Sequence, residues 1–149
     1  MATMKAFHKI KDLREKDKQE AQRTYQRKVE EFEAIATELY QALKRKENAE
    51  AEFEAKVREG SLSAQYFVQY KDYLQRLDER ILSLQPKVQE ARERMEGQQE
   101  TLNIAYIEFK KLEKLIENKR NLEEAHVKRE ETLFMDDLSL RQYSTFRNR

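Results

Sequence analysis

Cysteine is absent from the 149 residues, which excludes a disulfide framework and a thiolate metal site. Tryptophan is absent too, glycine occurs only twice and proline once, so little in the chain forces a helix to stop. No run approaches the roughly 18 apolar residues of a membrane span, so direct membrane insertion is not expected. Residues 1–10 lack the apolar core of a secretory signal. A cytoplasmic protein is the expectation. An excess of charge of one sign is also missing. Thirty Lys and Arg stand against 29 Asp and Glu, a net charge of +1, which marks neither nucleic acid nor anionic lipid as the partner. Nor is there a Gly-rich phosphate loop, a GxSxG elbow, an HExxH pair or an EF-hand loop.

What the chain has instead is charge and periodicity. Charged residues make up 40% and hydrophobic ones 38%, the composition of long helices rather than of a globule. From residue 67 to 116, steps of three and four pick out Phe67, Tyr70, Leu74, Leu77, Ile81, Leu84, Val88, Ala91, Met95, Gln98, Leu102, Ala105, Phe109, Leu112 and Ile116. All but Gln98 are apolar. A 3.5-residue spacing lays a narrow stripe along one helix, and a second helix has to cover it. Residues 3–59 supply the candidate, with a heptad stripe through Tyr25, Val29, Phe32, Ala36, Leu39, Leu43, Lys46, Glu50, Phe53 and Val57. Upstream the phase slips to a short patch of Phe7, Ile10 and Leu13.

Between the stripes lies Gly60-Ser61-Leu62-Ser63. Glycine suits the left-handed cap that ends one helix, and a serine oxygen can accept the first free amides of the next. So short a link makes the helices antiparallel neighbours. The expected fold is all-α, a long antiparallel two-helix coiled-coil hairpin over residues 1–132. Helix 1 runs from about 3 to 59, the turn is 60–63, and helix 2 runs from about 64 to 132. Facing residues should total about 122, placing Phe32 near Glu90 and Phe7 near Leu115, along arms of about 85 Å. The heptad keeps step across Pro86, which predicts a bend there rather than a break. Gly97 makes the middle of this arm its expected flexible point.

Two regions stand apart. Residues 1–28 carry nine basic and four acidic side chains, net +5, against net −4 over 29–60. That basic end is either a solvated helix face or a contact surface. Residues 133–149 hold Leu133, Phe134, Met135, Leu138, Leu140, Tyr143 and Phe146 with nothing left in the chain to cover them. This suits a flexible tail or one that orders on a partner. His8 and His126 should stand about three turns apart, so no shared metal site is expected. A two-helix hairpin also lacks the enclosed pocket that catalysis needs. Neither enzymatic activity nor a cofactor is expected.

Several segments together resemble the FliJ family of the bacterial flagellar type III export apparatus. They are His8-Lys9-Ile10-Lys11-Asp12-Leu13-Arg14-Glu15-Lys16, the turn at residues 60–63, the run from Tyr70 to Ile81, and Met135-Asp136-Asp137-Leu138-Ser139-Leu140-Arg141-Gln142-Tyr143. The tail is most similar to Bacillus-type members. The resemblance implies a stalk-like hairpin whose open end enters the hexameric ring of the export ATPase and promotes its assembly and activity. It also implies contacts with the cytoplasmic part of the membrane-embedded export gate and, in some members, with export chaperones. The protein would then lie at the inner face of the cell membrane. By that analogy Lys9, Lys11, Arg14, Lys18, Met135, Leu138, Arg141 and Tyr143 contact the ATPase, and Tyr66, Tyr73, Leu77 and Leu84 contact the gate. Leu77 and Leu84 also lie on the core stripe, so plain packing is their other reading. The neighbouring face of helix 1 reads Glu38, Ala42, Arg45 and Ala49, without the aromatics of the better-known pattern. A structural or adaptor coiled coil of another assembly would share this fold. A nucleic-acid-binding hairpin is disfavoured, because Asp12, Glu15, Asp17 and Glu20 interrupt the basic residues and no aromatic platform accompanies them.

Overall fold

A computed structural model describes residues 2–147 as two helices, α1 (Ala2–Glu59) and α2 (Ala64–Arg147). Met1, Asn148 and Arg149, the outermost residues of the expected hairpin and tail, lie outside the described residues. Gly60 adopts φ 68°, and the two hydrogen bonds of a Schellman cap close α1. Gly60 N–H donates to the Val57 carbonyl and Ser61 N–H to the Lys56 carbonyl, each at 3.2 Å. Ser63 then opens α2, its Oγ accepting the Tyr66 amide at 3.1 Å.

The helices contribute to two compact units, Gln19–Ile104 and Met1–Lys18 with Ala105–Arg149. In the turn-bearing unit, Ala21, Ala42, Leu77, Ile81, Leu84, Val88 and Ala91 are buried, and Leu39 packs on the cluster of Ala42, Ile81 and Leu84. The terminal unit buries Phe109 and Ile116. The stripe on α2 is thus the one its periodicity predicts.

On α1 one column of the expected stripe holds, and the other holds at Val29 and Ala36 but moves by a residue toward the turn. Tyr25, Phe32, Leu39, Lys46 and Phe53 are half-buried as expected. Their companions are Ala21, Lys28, Ile35, Ala42, Ala49 and Lys56; Leu43 and Val57 are exposed. The same spacing continues upstream through Lys18, Lys11 and Met4, so the expected phase slip is absent. A lysine at a seam position lays its methylene stem over apolar surface and keeps its ammonium in water. Small alanines there let the helices approach closely. Ala42 and Ala49, placed on an outward face by the sequence, therefore belong to the seam, while Glu38 and Arg45 are exposed.

Cross-helix contacts give the register. Phe53 stacks on Tyr70 with ring centroids 4.1 Å apart, and Lys46 Nζ lies 2.8 Å from Asp78 Oδ1. The Phe32 ring meets Arg92, within two residues of the expected Glu90. In the terminal unit Phe7 meets Lys119, one turn beyond the expected Leu115. Side chains lean toward the N-terminus of their own helix. In an antiparallel pair, contacting residues consequently total a few more than the backbone level alone would give.

α2 passes through Pro86 and Gly97 without interruption and continues through 133–147, where the expected feature is a flexible or partner-ordered tail. No glycine or proline falls in that segment, and Asp137 pairs with Arg141 one turn on, at 3.2 Å. Every residue from 120 to 147 is exposed. A Cβ added at Gly97 meets nothing within 4 Å. Gly97→Ala should therefore raise stability by about 0.5–1 kcal/mol, read as a higher melting temperature by circular dichroism.

Candidate functional site

The terminal unit divides its expected contact residues by helix face. Lys9 is exposed, and so is Arg14, whose Nη1 donates to Asp17 Oδ2 at 3.2 Å. Lys11 and Lys18 instead fall on the seam column. Lys18 Nζ sits 4.3 Å from the Phe109 ring centroid, a cation–π contact. Lys11 is half-buried in a shallow cleft with His8, Glu113, Ile116, Glu117 and Arg120. Of the four basic side chains assigned to a docking face, only Lys9 and Arg14 are displayed; Lys11 and Lys18 are engaged in packing.

The far end of α2 is displayed on every side. Met135, Leu138, Arg141 and Tyr143 lie there on helix rather than loop, beside Leu133, Phe134, Leu140 and Phe146. Successive residues turn by roughly 100°. Leu133, Phe134 and Met135 accordingly project to three sides, and Leu138, Leu140, Tyr143 and Phe146 fill the intervals. Asp136, Asp137, Arg141 and Arg147 are interspersed. Seven large apolar side chains distributed around one exposed helix differ from an amphipathic stripe, which a single partner helix could cover.

Near the turn an aromatic stack crosses the seam. Tyr66 lies parallel to Tyr70 at 6.5 Å, Tyr70 stacks on Phe53 with an interplanar angle of 4°, and Lys56 Nζ stands 3.9 Å over the Tyr66 ring. Tyr73 is 39% exposed, with no aromatic or cationic partner on its ring among the described residues. Tyr66, Gln69, Tyr70 and Tyr73 form a shallow cleft with Ala49 and Glu52 of α1. Leu77 and Leu84 are buried in the seam. The packing of α1 on α2 already covers both, which accords with their other reading as plain core. Tyr70 and Phe53 were legible as core stripe, but their stacking across helices depends on pairing that periodicity does not state.

Two groups here titrate abnormally. Burial, reinforced by Glu50, raises the Tyr70 phenol, and the Asp78 carboxylate raises the Lys46 ammonium. Both stay protonated beyond their ordinary range in the fold. Their contribution to stability is therefore complete below about pH 10 and is lost as pH climbs through the raised values. Alkaline titration of helicity should show this loss, and Tyr70→Phe should remove part of it.

Among the described residues no group of three or more His, Cys, Asp or Glu could hold a metal ion. No helix there is long and apolar enough to cross a membrane. Fold and surfaces together define an all-α helical-hairpin protein whose second helix ends in exposed apolar side chains. More particularly, residues 4–148 match the family described as Flagellar FliJ protein. The chain is 34% identical over 143 residues to the Flagellar FliJ protein of Bacillus subtilis (strain 168), covering 96% of this chain and 97% of that one. The chain belongs to the FliJ family. No solved structure matches it.

Proposed function

We propose that this chain serves flagellar protein export as a non-enzymatic stalk. The end of α2 docks in the hexameric ring of the export ATPase and promotes ring assembly and activity. Met135, Leu138, Arg141 and Tyr143 make that contact, with Lys9 and Arg14 adding charge complementarity. Tyr66 and Tyr73 meet the cytoplasmic part of the export gate, and export chaperones are further partners. The protein works in the cytoplasm at the inner face of the membrane.

The observation carrying this reading is the distribution of apolar side chains around the end of α2. A groove covers one side of a helix, whereas an opening that surrounds the helix covers all of them. Removing large apolar area from water is the main driving force of such docking, at about 25 cal/mol per Å².

Met135→Ser, Leu138→Ser and Tyr143→Ser combined should abolish stimulation of the purified export ATPase. Helicity and melting temperature should hold, because all three side chains are exposed. Unchanged stimulation by the triple variant would remove the docking assignment.

A further inference from the structure

From the cleft beside the turn we infer that its occupant is an arginine side chain supplied by the partner. The inference rests on the gate-contact reading of Tyr66 and Tyr73, and it names the chemistry of that contact. The Tyr73 ring is 39% exposed with no cation or aromatic partner among the described residues, and the small side chain of Ala49 lines the same cleft. Glu52 lines the same cleft and joins no ion pair among the described residues, whereas Glu54 is held by Arg58 and Glu47 by Lys44. A flat guanidinium fits that combination. It stacks on an aromatic face while its fork of N–H donors meets a carboxylate, which a compact ammonium cannot do as well.

Two further observations agree with this chemistry. The protein already seats one cation on the adjoining ring, Lys56 over Tyr66, so these tyrosine faces are used for cations within the chain itself. Burial chiefly holds the Tyr70 phenol protonated, and the nearby Glu50 and Glu54 carboxylates add to this against Lys46. Residues 47–59 contain Glu47, Glu50, Glu52, Glu54 and Glu59 against Lys56 and Arg58, a net charge of −3. A basic partner segment is drawn to such a surface, and an acidic one is repelled.

The test has two arms on the full chain. In the first, tyrosine ring resonances are followed by NMR during titration with N-acetyl-arginine amide, and with N-acetyl-norleucine amide as the neutral comparison. Arginine amide should shift Tyr73 and Tyr66, norleucine amide should not, and Glu52→Gln should suppress the shift. In the second, affinity for the purified cytoplasmic part of the export gate is measured for wild type, Glu52→Gln and Tyr73→Leu. Each variant should weaken binding about tenfold, with a loss that narrows as salt is raised.

Gate binding that Tyr73→Leu abolishes but Glu52→Gln leaves intact would overturn the arginine inference while the gate reading stands. Absence of gate binding alongside a clear arginine shift would support the cleft chemistry and remove the gate reading. Self-association in sedimentation that Tyr73→Leu abolishes would overturn the inference in favour of a second copy of this chain.

Discussion

Ala42→Asp should destabilise the turn-bearing unit by about 3 kcal/mol or more, whereas Leu43→Asp should cost less than about 1 kcal/mol. Ala42 is 1% exposed and packs with Ile81 and Leu84; Leu43 next to it is 46% exposed. A carboxylate at 42 would be stripped of water between apolar side chains. Of the cations three and four residues on, Arg45 is exposed to water, and Lys46 is already held by Asp78 at 2.8 Å. An unpaired charge left in such a place is among the few single changes that reach this size. Small domains are stable by only about 5–15 kcal/mol in total, so the effect should be plain in urea denaturation followed by helicity. Equal costs at the two positions, or a larger one at Leu43, would show that the seam on α1 runs where hydrophobicity alone would put it.

Phe109→Ala is expected to cost about 3–5 kcal/mol, and to spend it in the terminal unit. Phe109 and Ile116 are the only buried apolar side chains there among the described residues, and Lys18 closes over the Phe109 ring. With so little interior, losing one ring removes most of what binds the start of α1 to α2. Hydrogen exchange should report it as lost amide protection over residues 4–18, with protection near residues 39–42 and 77–84 retained. Uniform loss of protection throughout the chain would instead make the two units one cooperative block. Lys18→Met, which keeps the stem and removes the charge, should produce only a small part of the effect.

These expectations differ in how readily the sequence shows them. The α2 stripe was legible because Leu77, Ile81, Leu84, Val88 and Ala91 are apolar at an unbroken spacing. The turn was legible because Gly60 and Ser63 carry cap chemistry that few other residues supply. The tyrosine surface was legible only in part. Tyr66 and Tyr73 stand beside the stripe, but the cleft they share with Glu52 and Ala49 exists only once the second helix is placed. Lys11 and Lys18, assigned to a docking face by their charge, lie half-buried on the seam column for a related reason. Formal charge describes the tip of a lysine and says nothing of the stem that packs.

By itself the sequence determined an all-α hairpin, its turn, the buried face of α2 and the family to which the chain belongs. Each depends on local chemistry or on apolar spacing within a single segment. Tertiary structure alone decided the seam on α1, where alanine and lysine occupy positions that hydrophobicity passes over and Leu43 is left outside. Burial there is set by the facing helix, because a heptad position has a neighbour about 100° around the helix, and only the partner's surface determines which of the two it covers.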